Sequence, residues 1–161
     1  LGIVAEHKRR SPSKPQIKLQ SRAAEVAKGY EHAGVAAMSV LTNGQYFGGS
    51  LEDLLLARAA TKLPLLRKEF IVDTYQIHEA KAYGADAILL IASCLTAEET
   101  NQLAQTAKQI GLDVLLEVHN KAELDQSPLS YVDVVGVNNR NLKDFSVDLN
   151  TSVSLVKHIP T

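Results

Sequence analysis

Cysteine is nearly absent: Cys94 stands alone, so no internal disulfide can form and no multi-cysteine zinc site can be assembled. Cys94 ends an apolar run with no activating neighbour, which predicts an inert, buried thiol. No apolar run reaches membrane-spanning length, and no signal-type h-region is present. The expected location is a reducing cytoplasm, with no membrane partner. Charge of one sign is lacking too. At a formal net charge of -1 the protein has no global field to hold nucleic acid, so an anionic ligand must be met by locally placed Lys and Arg. A small-molecule partner is expected, and no nucleic acid. No GxGxxG or GxxxxGK[ST] follows any strand-like run. His32, His78 and His158 fall in or near helical segments without HExxH-type spacing, so no metal site is expected.

What is there is a repeated pattern. Short apolar runs end in charged or amide residues in GIVAEHK (2–8), PLLRKEF (64–70), DVLLEVH (113–119) and VVGVNNR (134–140). Runs of this length read as buried strands. Helical segments separate them, at about 51–60, 97–110 and 121–124 among others, with Ser50 as an N-cap and Thr96 and Glu99 as a capping box. The segment NGQYFGGS reads as a Gly-rich loop. This alternation predicts an α/β domain with a parallel sheet and right-handed crossovers, in six βα units that together span residues 1–161. Polar residues at the ends of several strands favour a TIM-type (βα)8 barrel, here incomplete, over a doubly wound sheet whose site sits at one switch point.

Period-two alternation puts Glu6 and Lys8 on one face of the first strand, Lys68 and Phe70 on one face of the third, and Glu117 and His119 on one face of the fifth. Asn138 and Arg140 follow on the sixth. A barrel turns such faces inward, so Glu6, Lys8, Lys68, Glu117, Asn138 and Arg140 are expected to converge at its mouth. That mixture suits general acid/base work on an anionic substrate, with Lys and Arg holding carboxylate or phosphate and a Lys and a Glu tuned as acid and base. His7 and Glu69 alternate outward, toward the helix layer. Phe47, in the Gly-rich segment, is a candidate to line a planar substrate. The run KRRSPSK after the first strand reads as an active-site loop.

Taken together, AEHKRRSPSK, SVLTNGQYFGGSLEDL, PLLRKEFIVDTYQIHEA, GADAILLI, LLEVH and GVNNRNLKDFSVD resemble the indole-3-glycerol phosphate synthases of tryptophan biosynthesis, over the whole chain and in family order. The resemblance implies a carboxy-lyase that closes the indole ring of 1-(2-carboxyphenylamino)-1-deoxyribulose 5-phosphate, releasing carbon dioxide and water, with no metal or organic cofactor. It implies that Lys68 is the acid that protonates the ketone and Glu117 the carboxylate that acts in the dehydration. Glu6 and Lys8 match the first-strand pair, and Asn138 and Arg140 the sixth-strand polar pair. Ser11 falls in the SPS loop, while Phe47, Phe70 and Leu89 match positions around the aromatic ring. Pro15, Glu69 and His7 depart from the usual pattern. Neither the family's N-terminal helical extension nor its last two strands, which bind much of the substrate phosphate, are present.

Competing expectations are another phosphate-binding barrel, such as phosphoribosylanthranilate isomerase, an aldolase using Lys68 as a Schiff base, or a noncatalytic barrel fragment. Set against the about 250 residues of a typical barrel, six units leave strand edges unpaired, which predicts self-association.

Overall fold

The computed structural model describes residues 2–141 and 145–160. Leu142, Lys143 and Asp144 of the GVNNRNLKDFSVD motif lie outside the described residues, as do Leu1 and Thr161. The strands are β1 Val4–His7, β2 Ala37–Leu41, β3 Leu65–Lys68, β4 Ala87–Ile91, β5 Asp113–Val118 and β6 Val134–Val137. The α-helices between and after them are α1 Ala23–His32, α2 Gly44–Phe47, α3 Leu51–Ala60, α4 Thr74–Ala82, α5 Ala97–Gln109, α6 Lys121–Gln126 and α7 Asn150–Leu155.

The strands form one six-stranded sheet in sequential order, β1 to β6, and every neighbouring pair is parallel. Sequential parallel pairing is the order of a (βα)8 barrel; a doubly wound sheet would reverse direction at a switch point. The central strand β4, AILLI, reads as an unbroken apolar run because both its faces are covered. On the helix side, Met38, Val40, Leu65, Ile88, Leu90, Val114, Leu116 and Val118 join the main core. On the other face a smaller cluster of Leu66, Leu89 and Ile91, with Ala87 and Leu115, fills the concave side. Each fully buried Leu or Ile in these layers contributes about 1.5–3 kcal/mol relative to exposure.

Register carries this inner layer to the site. Leu41 is level with Lys68, Ile91 with Glu117, and Glu117 with Gly136, so an apolar floor gives way to polar side chains at the C-terminal strand ends. Arg67, one residue before Lys68, is buried on the opposite face. It donates to Glu79 Oε2 at 2.8 Å and to the Gln76 carbonyl at 2.6 Å, which locks β3 to α4 beneath Lys68.

Ser50 and Thr96 cap α3 and α5 as their positions predict, and the Thr96–Glu99 box is complete. Other expectations are corrected. The NGQYFGGS segment is not all loop: Asn43 Oδ1 accepts from Tyr46 N at 2.9 Å and starts the short helix α2. That helix ends at Gly48 with φ 68°, and a Cβ on Gly49 would lie 1.8 Å from the Leu41 carbonyl oxygen, so the chain can fold back on β2 only with glycine there. Helix α6 runs on to Gln126, past the expected end. Cys94 is exposed, because β4 stops at Ile91 and the 3-10 turn Ala92–Cys94 carries the thiol out of the core. At the two sheet edges Ile3, Val4 and Val134 are exposed by 70%, 52% and 54%, too much for side chains covered by a neighbouring strand.

Candidate active site

Glu6 holds the centre of an ion-pair triad. Lys68 Nζ donates to its Oε2 at 2.7 Å, and Lys8 Nζ donates to its Oε1. Burial pushes the Glu6 carboxyl up, but the charges and hydrogen bonds of Lys68 and Lys8 outweigh it, leaving the group below its ordinary value of 4.5. Glu6 is therefore an anion at neutral pH, and it fixes two cations at the mouth.

Across the sheet, Asn138 Nδ2 donates to Glu117 Oε1 at 2.9 Å, and the Asn138 carbonyl oxygen Oδ1 accepts from Arg140 N at 2.9 Å. β6 ends at Val137, so Asn138 and Arg140 come from the segment after it and are positioned by these bonds rather than by strand alternation. The Arg140 guanidinium donates to the Phe145 carbonyl at 3.1 Å. His119 departs from the expected face. It follows the end of β5 and turns its ring to Glu123 on α6, with Nδ1 3.1 Å from Glu123 Oε2.

An aromatic wall closes another side. Phe47 and Phe70 stack with centroids 6.5 Å apart, and Tyr46 meets the edge or face of each. The wall is tied to the first loop, since the backbone N–H groups of Arg9 and Arg10 both donate to the Phe47 carbonyl. Within that loop Ser11 pairs with Lys14 through backbone and side chain. Two residues of the basic run are structural instead: Arg9 makes a two-point pair with Asp53 at 2.5 and 2.6 Å, and Arg10 donates to the Gly44 carbonyl.

One cleft of about 640 Å³ is lined by Glu6, Lys8, Ser11, Phe47, Lys68, Phe70, Leu89, Glu117, Asn138 and Arg140 together. Every site residue expected from the sequence lies on it. Tyr46 and Glu69 line it too and were not expected. Glu69, which alternation sends to the helix layer, instead accepts from Thr42 Oγ1 and Asn43 Nδ2 over the β2–α2 turn, because β3 ends one residue earlier. Tyr46 was legible only through the Asn43 cap that places it beside Phe47. Among the described residues no group of three His, Cys, Asp or Glu side chains is arranged to hold a metal. No helix among the described residues is long and apolar enough to cross a membrane.

A family model described as indole-3-glycerol phosphate synthase matches residues 1–161. The chain belongs to the indole-3-glycerol phosphate synthase family. Among similar curated proteins, the indole-3-glycerol phosphate synthases of Bacteroides thetaiotaomicron and Dechloromonas aromatica are 47% and 50% identical over 159 residues, 99% of this chain and 61% of each relative. That of Polynucleobacter asymbioticus is 48% identical, covering 99% of this chain and 60% of the relative. The chain thus spans about 60% of the length of these relatives. Family membership disfavours the isomerase and aldolase alternatives. Among solved structures, the N-acetylneuraminate lyase of Mycoplasma synoviae matches with a TM-score of 0.59 at 14% identity, covering 98% of this chain and 59% of that one, a likeness of fold alone.

Proposed function

We propose that this cleft is the ring-closing site of an indole-3-glycerol phosphate synthase, acting on 1-(2-carboxyphenylamino)-1-deoxyribulose 5-phosphate. The observation that carries the reading is the opposition, within one cleft, of a lysine paired to a carboxylate and a glutamate held by an amide, beside an aromatic wall. In ring closure the aromatic carbon bearing the carboxylate attacks the ketone carbon while the Lys68 ammonium gives its proton to the ketone oxygen. Carbon dioxide then leaves that aromatic carbon, and its bonding electrons restore the ring. In the last step Glu117 takes the proton from the carbon next to nitrogen while the Lys8 ammonium protonates the new hydroxyl, which leaves as water.

Glu6 positions the Lys68 ammonium through the 2.7 Å hydrogen bond, and Lys8 offers a second cation to the substrate's anions. Phe47, Phe70 and Leu89 form the slot for the benzene ring, whose planar faces suit aromatic contact. Ser11, Asn138 and Arg140 supply polar contacts at the rim. The reading includes a cytoplasmic location, residues 1–161 as one barrel domain, no cofactor, a phosphorylated small molecule as partner, and self-association through the strand edges.

Fluorescence detection of indole-3-glycerol phosphate, with the chain at micromolar concentration, tests the activity. Product that disappears with Lys68→Ala supports the reading. Saturable substrate binding in calorimetry without product would leave a noncatalytic barrel piece, the reading favoured by the open edges at β1 and β6.

A further inference from the structure

His119 sits behind Glu117 with its backbone N–H and one ring nitrogen committed to Glu123. Its backbone N–H donates to Glu123 Oε2 at 2.8 Å, and Nδ1 lies 3.1 Å from the same oxygen. The other Glu123 oxygen accepts from Asn120 Nδ2 at 2.7 Å, while Glu123 N donates back to Asn120 Oδ1 at 2.9 Å. An ionised carboxylate only accepts, so the hydrogen of a neutral His119 ring resides on Nδ1. Nε2 is left with its lone pair. It is buried, has no hydrogen-bond partner, and lies 3.6 Å from Glu117 Oε1. That distance is too long for a hydrogen bond but well inside Coulombic reach. Two acceptor atoms facing each other in a buried place are unfavourable until one proton lies between them.

We propose that His119 is a positioning residue for Glu117, locked in one tautomer by Glu123 so that Nε2 and the Glu117 carboxylate share a single proton. The inference rests on the reading of Glu117 as the base of the dehydration. The proton that Glu117 removes from the substrate carbon passes from Oε1 to Nε2, converting the ring to imidazolium between two carboxylates and restoring Glu117 as an anion. The proton then leaves through a second cleft, of about 520 Å³, on which His119 and Glu123 open. Arg140 and Asp148 are the other charged groups lining that cleft.

Two amide substitutions separate this role from simple packing. His119→Gln places an amide near the position of Nε2, and His119→Asn places one near Nδ1. In single-turnover experiments, His119→Asn should slow dehydration about 10-fold, a part of the about 10²–10⁴ that positioned proton transfer supplies, with ring closure and KM unchanged. His119→Gln, which keeps a polar group near Nε2 but cannot take a proton, should be slowed to a similar degree. Normal dehydration in either variant overturns the proposal. Ring-nitrogen NMR of the unsubstituted chain and of Glu117→Gln requires no turnover. It should show hydrogen on Nδ1 of the neutral ring, and an Nε2–H signal on acidification that moves in Glu117→Gln. A neutral ring protonated at Nε2, or a signal indifferent to Glu117→Gln, overturns the pairing even if neither amide variant folds. An inactive chain with the expected spectrum would sink the ring-closing function and leave the pairing intact.

Discussion

Lys68 on β3 reaches past β2 to Glu6 on β1, with Nζ 2.7 Å from Oε2. The pair spans the sheet's concave face and holds the proposed acid where a ketone would enter. Lys68→Ala should lower turnover by about 10² to 10⁴, the contribution of positioned proton transfer, while circular dichroism stays unchanged because Lys68 is half-exposed and Arg67 still binds β3 to α4. Wild-type turnover in this variant would remove Lys68 from the mechanism.

Glu117→Gln should impair dehydration more than ring closure. The amide keeps the shape and the Asn138 contact but cannot take a proton. A cyclised, decarboxylated intermediate should therefore accumulate in a quenched single turnover. Equal slowing of both steps would assign Glu117 a purely electrostatic role.

The Arg9–Asp53 pair ties the first loop to α3 and makes stability acid-sensitive. Burial pushes the Asp53 carboxyl up, but the hydrogen bond and charge of Arg9, with help from Ser50, pull it below its ordinary 3.8. A depressed carboxyl contributes stability that is full above the unfolded value and lost as pH falls through the folded one, so the loss lies below about pH 4. Asp53→Asn should cost about 3–5 kcal/mol at neutral pH, the cost of breaking a buried pair, and should flatten that acid limb in urea titrations. An unchanged acid limb would place its origin elsewhere.

His7 adds a second, milder slope. It is buried at 3% exposure, and burial followed by the Arg9 charge pushes its imidazole below 6.5, while Asp53 pulls the other way less strongly. The unfolded chain therefore binds this proton first, and stability declines as pH drops below 6.5. His7→Gln should make the urea midpoint less dependent on pH between neutrality and mild acid. An identical slope would show that His7 is protonated without cost.

The edges at β1 and β6 should drive association. Backbone groups without a ladder partner, next to exposed Ile3, Val4 and Val134, form a template for another strand. Light scattering behind size exclusion should give a mass above the 17.5 kDa of one chain. Val134→Lys, which places a charge on the edge, should shift the species toward monomer. A monomer across the micromolar range would rule association out.

The sequence by itself determined the sheet and the floor of the site. A run such as AILLI is apolar on both faces, which only a covered parallel strand tolerates, and the spacing of the runs left sequential pairing as the simple solution. Glu6, Lys68 and Glu117 lie within strands, so alternation alone aimed them at the cleft. Beyond the strand ends that rule stops applying, and tertiary contacts decided the outcome. Glu69 swung to the β2–α2 turn because Thr42 and Asn43 offered donors, and His119 swung to α6 because Glu123 offered an acceptor. Arg9, read as part of an active-site loop, was claimed by Asp53, a partner 44 residues away. Local periodicity carries no information about such distant charges; only the folded chain brings them within reach, and the lower cost of a buried charge with a partner then selects the pairing.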